Sequence, residues 1–316
     1  MSSRSHEATH AVPRSEELFA PIRRDIELCY QTFGDPDDEP MLLVMGLGGP
    51  MTWWDDEFCE LLAGAGFHVV RFDNRDVGRS SRARGRVTRR MLVRAFGGLR
   101  VRPPYTLDEM AEDAFLLLDH LGLETAHLVG VSMGGMIVQT MALSRPERVR
   151  SLTSIMSTTG RRTVGWQHPS LLPVFLGRGA GREGYVAGSA ATWKVIGSPA
   201  YPKSEHDIRQ QAEDTWGRGV SVAGTARQMM AILTQRNRGP RLRALKVPTL
   251  VVHGLADKMV HVSGGRATAA AIPGAELLLV DGMGHDLPPQ LYESLTRAIE
   301  RTARRAGGAA GVVREG

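Results

Sequence analysis

The sequence is short of cysteine, lysine and aromatic side chains, and each shortage excludes something. Two cysteines among 316 residues, Cys29 and Cys59, are too few for a disulfide framework. Cys29 lies in an alternating apolar stretch and Cys59 in a helical one, the usual setting of buried free thiols. No cluster of His, Cys and carboxylate has metal-ligand spacing, so no metal is expected. Residues 1–24 are polar and lack the apolar core of a signal peptide, which makes the cytoplasm the expected compartment.

Positive charge is concentrated in one segment. Residues 71–102 hold eleven arginines against Asp73 and Asp76, so the net charge of +5 belongs to this segment and the rest is mildly acidic. Aromatic residues make up 6% of the chain, and neither aromatic interleaving nor a binding motif accompanies the arginines, so nucleic acid is not an expected partner. Only four of the 39 basic residues are lysines, which makes arginine usage a general bias of the sequence. Three readings of residues 79–102 stay open: a solvated surface insertion, a weak contact with an anionic membrane or carrier surface, and a contact with an anionic substrate. No oligomeric state is read from the sequence.

Long apolar runs are also few. Residues 125–144 carry no formal charge and reach the length of a membrane span. They contain His127, Ser132, Gln139 and the pair Gly134-Gly135, however, and fit a buried parallel strand running into a buried helix. No transmembrane segment is expected. With 42% hydrophobic and 23% charged residues, the chain has ordinary globular composition.

What is present is a rhythm. Apolar runs at 26–33, 41–45, 67–72, 126–131 and 152–156 alternate with helical patterns at 54–65, 106–121 and 133–143, as in βαβ units of a parallel sheet. From 158 to 243 no clear strand appears, and helices are expected at 185–196, 205–216 and 225–235. Alternation resumes with a strand at 247–253, a helix at 265–271, a strand at 276–280 and a helix at 290–306. The expected architecture is α/β: a mostly parallel sheet flanked by helices, with a core over 25–157 and 244–306 and a helical lid over 158–243. Residues 1–24 form a polar leader and 307–316 a flexible tail.

The strongest local signal is Gly130-Val131-Ser132-Met133-Gly134. It follows a strand and opens a helix, the setting of a nucleophile elbow, in which small neighbours let a sharp turn lift the serine clear. A near-copy, Gly219-Val220-Ser221-Val222-Ala223, has no strand before it and is assigned nothing. A serine hydroxyl needs a base, and the base needs an orienting acid. His285 follows the strand at 276–280, and Asp257 follows the strand at 247–253. Asp281 and Asp286 remain alternatives for the acid on sequence grounds. The order Ser, Asp, His is one of three known for serine triads. The oxyanion donors are expected from the backbone N–H of Met133 and of Leu47, in the loop Gly46-Leu47-Gly48-Gly49-Pro50. His127 reads as a packed core residue.

These pieces together resemble the α/β-hydrolase fold superfamily over residues 25–306. The segment Phe72-Asp73-Asn74-Arg75-Asp76-Val77-Gly78-Arg79-Ser80 is similar to the R-x-D-x-R-G-x-G-x-S stretch of its small-molecule hydrolases. Within them, residues 44–46, 56–81 and 282–288 resemble the aclacinomycin methylesterase-like carboxylesterases. Met45-Gly46 replaces the usual His-Gly, as that group also tends to have. The resemblance implies a cofactor-free serine hydrolase acting on a small hydrophobic or polyketide-like ester, with Ser132, Asp257 and His285 as triad. The arginine-rich insertion after Ser81 and the sequence of 158–243 depart from it.

Pocket candidates are Gly46, Gly48, Trp53, Trp54 and Phe175, the last in the apolar run at 171–176. Serine at 132 disfavours dehalogenase and epoxide hydrolase chemistry, which use aspartate there. The glycines at 46, 48 and 49 do not form a dinucleotide-binding run. Thioester, lactone or phospholipid hydrolysis on the same triad, and a silent ligand-binding member of the fold, stay open as alternatives.

Overall fold

The computed structural model describes residues 12–171 and 181–307, so Phe175 and the tail beyond 307 lie outside the described residues. Eight strands form one sheet in the order β1-β2-β4-β3-β5-β6-β7-β8. They are β1 Leu18–Arg23, β2 Ile26–Phe33, β3 Glu39–Val44, β4 Phe67–Phe72, β5 Ala126–Val131, β6 Val149–Ile155, β7 Thr249–Gly254 and β8 Glu276–Val280. The pairs β1·β2 and β2·β4 are antiparallel, and the others are parallel.

The strand period of two divides the core between the two faces. In β3, Leu42 and Val44 pack with helices α3 (Leu107–His120) and α4 (Met133–Ser144). Met41 and Leu43 face the other way, toward α1 (Asp56–Gly64) and α10 (Tyr292–Gly307). Central strand β5 is buried along its whole length, which explains its unbroken apolar run.

Helix starts follow local chemistry. Asp55 accepts the N–H of Glu57 and starts α1 two residues later than the sequence pattern suggests. Thr106 and Glu109 form a reciprocal capping box on α3. The arginine-rich stretch contains a helix that its sequence did not announce, α2 (Arg89–Phe96), capped by Thr88. The inserted segment supplies α5 (Gly181–Ile196), α6 (Glu205–Gly219), α7 (Val222–Thr234) and the single turn α8 (Gly239–Leu242). Helix α9 (Ser263–Ala271) precedes β8. Ser221, of the near-copy motif, caps α7 by accepting the N–H of Gly224.

One expectation is corrected. The polar leader over 1–24 contains β1, which pairs with β2 at the sheet edge. Its outer side chains are exposed and it includes Pro21, so it has no buried alternation, and pairing with β2 makes it a strand.

Both cysteines are buried and free. Burial pushes each thiol up to about 12, helped at Cys29 by Asp73 and Glu17. Among the described residues, no helix is long and apolar enough to cross a membrane.

Candidate active site

Ser132 sits between the end of β5 and the start of α4. Its backbone has φ 56° and ψ −116°, a left-handed conformation that costs a side-chain-bearing residue energy. Surrounding glycines make room for the turn. A Cβ on Gly134 would lie 1.9 Å from the carbonyl oxygen of Val44, and one on Gly130 would lie 2.3 Å from that of Gly134. The serine is held by its own backbone: its N–H donates to Ile155, and its carbonyl accepts the Ser157 hydroxyl at 2.7 Å.

His285 stands on the loop after β8, with Nε2 3.1 Å from Ser132 Oγ and Nδ1 2.7 Å from Asp257 Oδ2. The second oxygen of Asp257 accepts the N–H groups of Met259 and Val260 at 2.8 and 2.9 Å. Burial alone would raise this carboxyl, but the imidazoles of His285 and His253 outweigh it and hold Asp257 well below the usual carboxylate range. The other two acids are committed elsewhere. Asp286 accepts the hydroxyl of Ser198 at 2.5 Å, and burial raises its carboxyl. Asp281 is exposed and accepts the N–H of Gly282. The histidine loop is pinned to the end of α5, with the N–H of His285 on the carbonyl of Ile196 and that of Gly284 on Ser198.

Gly46 lies against the serine: a Cβ there would be 3.2 Å from Ser132 Cβ. In the loop that follows, the N–H of Gly48 is taken by Gln228 and that of Gly49 by the carbonyl of Gly46. The N–H of Leu47 has no such partner among the described residues. Met133 opens α4, and its N–H is one of the donors a helix start leaves unpaired. Among the described residues, no group of three or more His, Cys, Asp or Glu side chains could hold a metal ion.

Above these groups lies a cavity of about 2020 Å³, walled by the β3–α1 loop, α2 and the inserted helices. Gly46, Gly48 and Trp53 line it. Trp53 is fixed by a 3.0 Å bond from its indole N–H to Thr215 and an edge contact with Trp193 of α5. Trp54 does not line it, and this corrects the expectation. Its ring is fully buried and stacks on Phe58, one turn into α1, because the short turn Met51–Trp53 points it below the loop.

A sequence profile described as alpha/beta hydrolase fold matches residues 39–289. The chain belongs to that family. It is 30% identical over 304 residues to the rhodomycin D methylesterase DauP of Streptomyces sp. (strain C5), covering 89% of this chain and 96% of the relative. It is 28% identical over 302 residues to the rhodomycin D methylesterase DnrP of Streptomyces peucetius, with the same coverage. Among solved structures, the enol-lactonase from Burkholderia xenovorans LB400 superposes with a TM-score of 0.71 at 22% identity, covering 91% of this chain and all of that one.

Within this alpha/beta hydrolase frame, the motif at 72–80 acts as a clasp. Asp73 accepts the N–H groups of Met51 and Arg79 and binds Arg218 of α6 at 2.7 Å. Asp76 accepts Tyr105 at 2.7 Å and both Nε and Nη2 of Arg227 of α7, at 2.9 and 2.6 Å. Burial opposes ionisation of Asp76, yet Arg227 and Tyr105 hold its carboxyl low. Asn74 donates to the carbonyl of Met45 at 3.0 Å, so the motif also braces the loop beside Ser132. Arg218, Arg227 and Gln228 escaped the sequence reading. A polar residue in an amphipathic helix carries no mark of a partner 145 to 180 residues away.

Proposed function

We propose that this chain is a serine hydrolase of the carboxylesterase type that cleaves an ester of a bulky hydrophobic small molecule. The bridging position of His285, within hydrogen-bond distance of both Ser132 and Asp257, carries the reading. Ser132 Oγ attacks the ester carbonyl as His285 Nε2 takes its proton. Asp257, ionised in its buried site, keeps Nδ1–H pointing at itself and stabilises the imidazolium. Charge developing on the carbonyl oxygen is met by the N–H groups of Leu47 and Met133. Collapse expels the alcohol, which receives the proton from His285. Water, activated by the same imidazole, then releases the acid and restores Ser132.

The cavity supports a large substrate. Its volume of about 2020 Å³ exceeds the roughly 300–1,000 Å³ usual for small-molecule sites. Trp53, Trp193, Met136 and Met229 offer flat and adaptable apolar surface. The two relatives named rhodomycin D methylesterases favour a methyl ester as the bond cleaved.

Hydrolysis of p-nitrophenyl esters and of a polycyclic carboxylic acid methyl ester, by wild type and Ser132→Ala, tests this. Activity that vanishes in the variant, with fluorophosphonate labelling of wild type only, is expected. Equal rates would overturn it.

A further inference from the structure

The arginine-rich segment carries a surface that the hydrolytic site does not require. Four large apolar side chains are the most exposed of their kind among the described residues: Val222 at 78%, Val93 at 71%, Phe96 at 66% and Leu99 at 54%. Three belong to α2 and the turn after it, and Val222 opens α7, on which α2 packs. Val93, Phe96 and Val222 also line the cavity that holds Ser132. The apolar wall of the cavity therefore continues onto the outer surface at its rim.

The segment that carries α2 has charge of one sign, although Asp207 and Asp214 of α6 line the cavity as well. From Val77 to Leu107 the sequence has nine arginines and no carboxylate. Seven of them, between Arg84 and Arg102, are exposed, and their guanidinium groups make no hydrogen bond or ion pair among the described residues. Elsewhere Arg145, Arg148 and Arg305 pair with carboxylates, while Arg24, Arg209, Arg236, Arg243 and Arg266 are exposed without one among the described residues but are scattered along the chain.

We propose that α2 and the rim around it dock on an anionic lipid surface, with the cavity mouth facing the bilayer. A lipid interface satisfies both halves of the patch at once. Val93, Phe96 and Leu99 enter the boundary between headgroups and acyl chains, while the arginines meet lipid phosphates. A nucleic acid would use the arginines and leave the apolar side chains in water. A second copy of this chain would set like charge against like charge. The contact is peripheral, since no described helix is suited to span. On the proposed esterase reading, an apolar ester dissolved in the membrane would reach Ser132 without crossing bulk water.

Co-sedimentation of the full chain with phosphatidylcholine vesicles, and with vesicles containing about 30% phosphatidylglycerol, tests the docking. Binding to the anionic vesicles should be at least about tenfold tighter and should weaken as salt rises. Arg89→Gln/Arg90→Gln/Arg94→Gln should lose the anionic preference while its thermal melt and p-nitrophenyl acetate hydrolysis stay at wild-type level. Val93→Ser/Phe96→Ser should lose the binding that persists at high salt. Equal binding to both vesicles, indifference to both variants, or a stronger affinity for duplex DNA than for the anionic vesicles would overturn the proposal. Ser132→Ala should bind vesicles as wild type does, so a failure of the esterase reading and a failure of docking are separable.

Discussion

Gln228 of α7 accepts the backbone N–H of Gly48 at 2.8 Å while its amide donates to the carbonyl of Arg75 at 2.9 Å. One buried side chain of the inserted segment thus fixes the loop that carries the N–H of Leu47. Gln228→Leu frees that loop. The expected result is a fall in kcat of about ten- to a hundredfold on a small ester, part of what a lost oxyanion donor costs, with KM changing less than about twofold. Gln228→Glu keeps an acceptor for Gly48 and should recover part of the loss. Steady-state kinetics on p-nitrophenyl acetate checks both, and an unchanged kcat would show that Gln228 only packs.

The clasp between Asp76 and Arg227 joins two side chains that are almost completely buried. Removing one partner strands the other, so Arg227→Met should cost about 3–5 kcal/mol in urea unfolding. Arg227→Met with Asp76→Asn should cost clearly less than the two single changes added together. The folded-state pKa of Asp76 is depressed, so its contribution is full above the unfolded carboxylate value, near pH 4, and is lost as pH falls further.

His127 supplies a second dependence on acid. Burial, aided by Arg150, pushes its imidazole down to about 4 despite the nearby Glu39. Burial also lowers His68. The unfolded chain takes up these protons near pH 6.5, before the folded one does. Stability from both residues is therefore present above pH 6.5 and declines as pH falls below it, for His127 down to about 4. Thermal melts of His127→Gln between pH 7 and pH 4.5 should show a shallower decline than wild type. An identical slope would exclude His127 as a source.

Two glycines should respond oppositely to alanine. In Gly134→Ala the new Cβ meets the backbone of Val44 at 1.9 Å, so the elbow must shift, with loss of activity and of several degrees in Tm. Gly188, inside α5, has nothing within 4 Å of a Cβ. There alanine should stabilise by about 0.5–1 kcal/mol through helix propensity alone. Differential scanning calorimetry of the two variants makes the comparison.

Features that a single stretch of chain determines could be read from the sequence. The apolar run of β5, the glycines around Ser132 and the serine–aspartate–histidine order each need only local pattern, and the structure brings those three side chains together. The rejection of Ser221 rested on the lack of a preceding strand, and that residue proves to cap a helix. What needed tertiary context was not legible. Strand β1 exists only because β2 offers it an edge. Adjacent tryptophans at 53 and 54 look equivalent until a single turn sends one to the cavity and the other to the core. The sequence favoured Asp257 but left Asp281 and Asp286 open, because the contact from His285 to Asp257 and the engagement of Asp286 by Ser198, 88 residues away, are both tertiary.

The two buried thiols have a practical consequence. Cys29 and Cys59 are fully buried, and burial pushes both thiols up, so a reagent at pH 8 meets little accessible thiolate. Wild-type protein should therefore ignore maleimides, and a cysteine introduced at Leu99 would be its sole reactive handle. A fluorophore placed there would sense the polarity of whatever the rim of the cavity rests against.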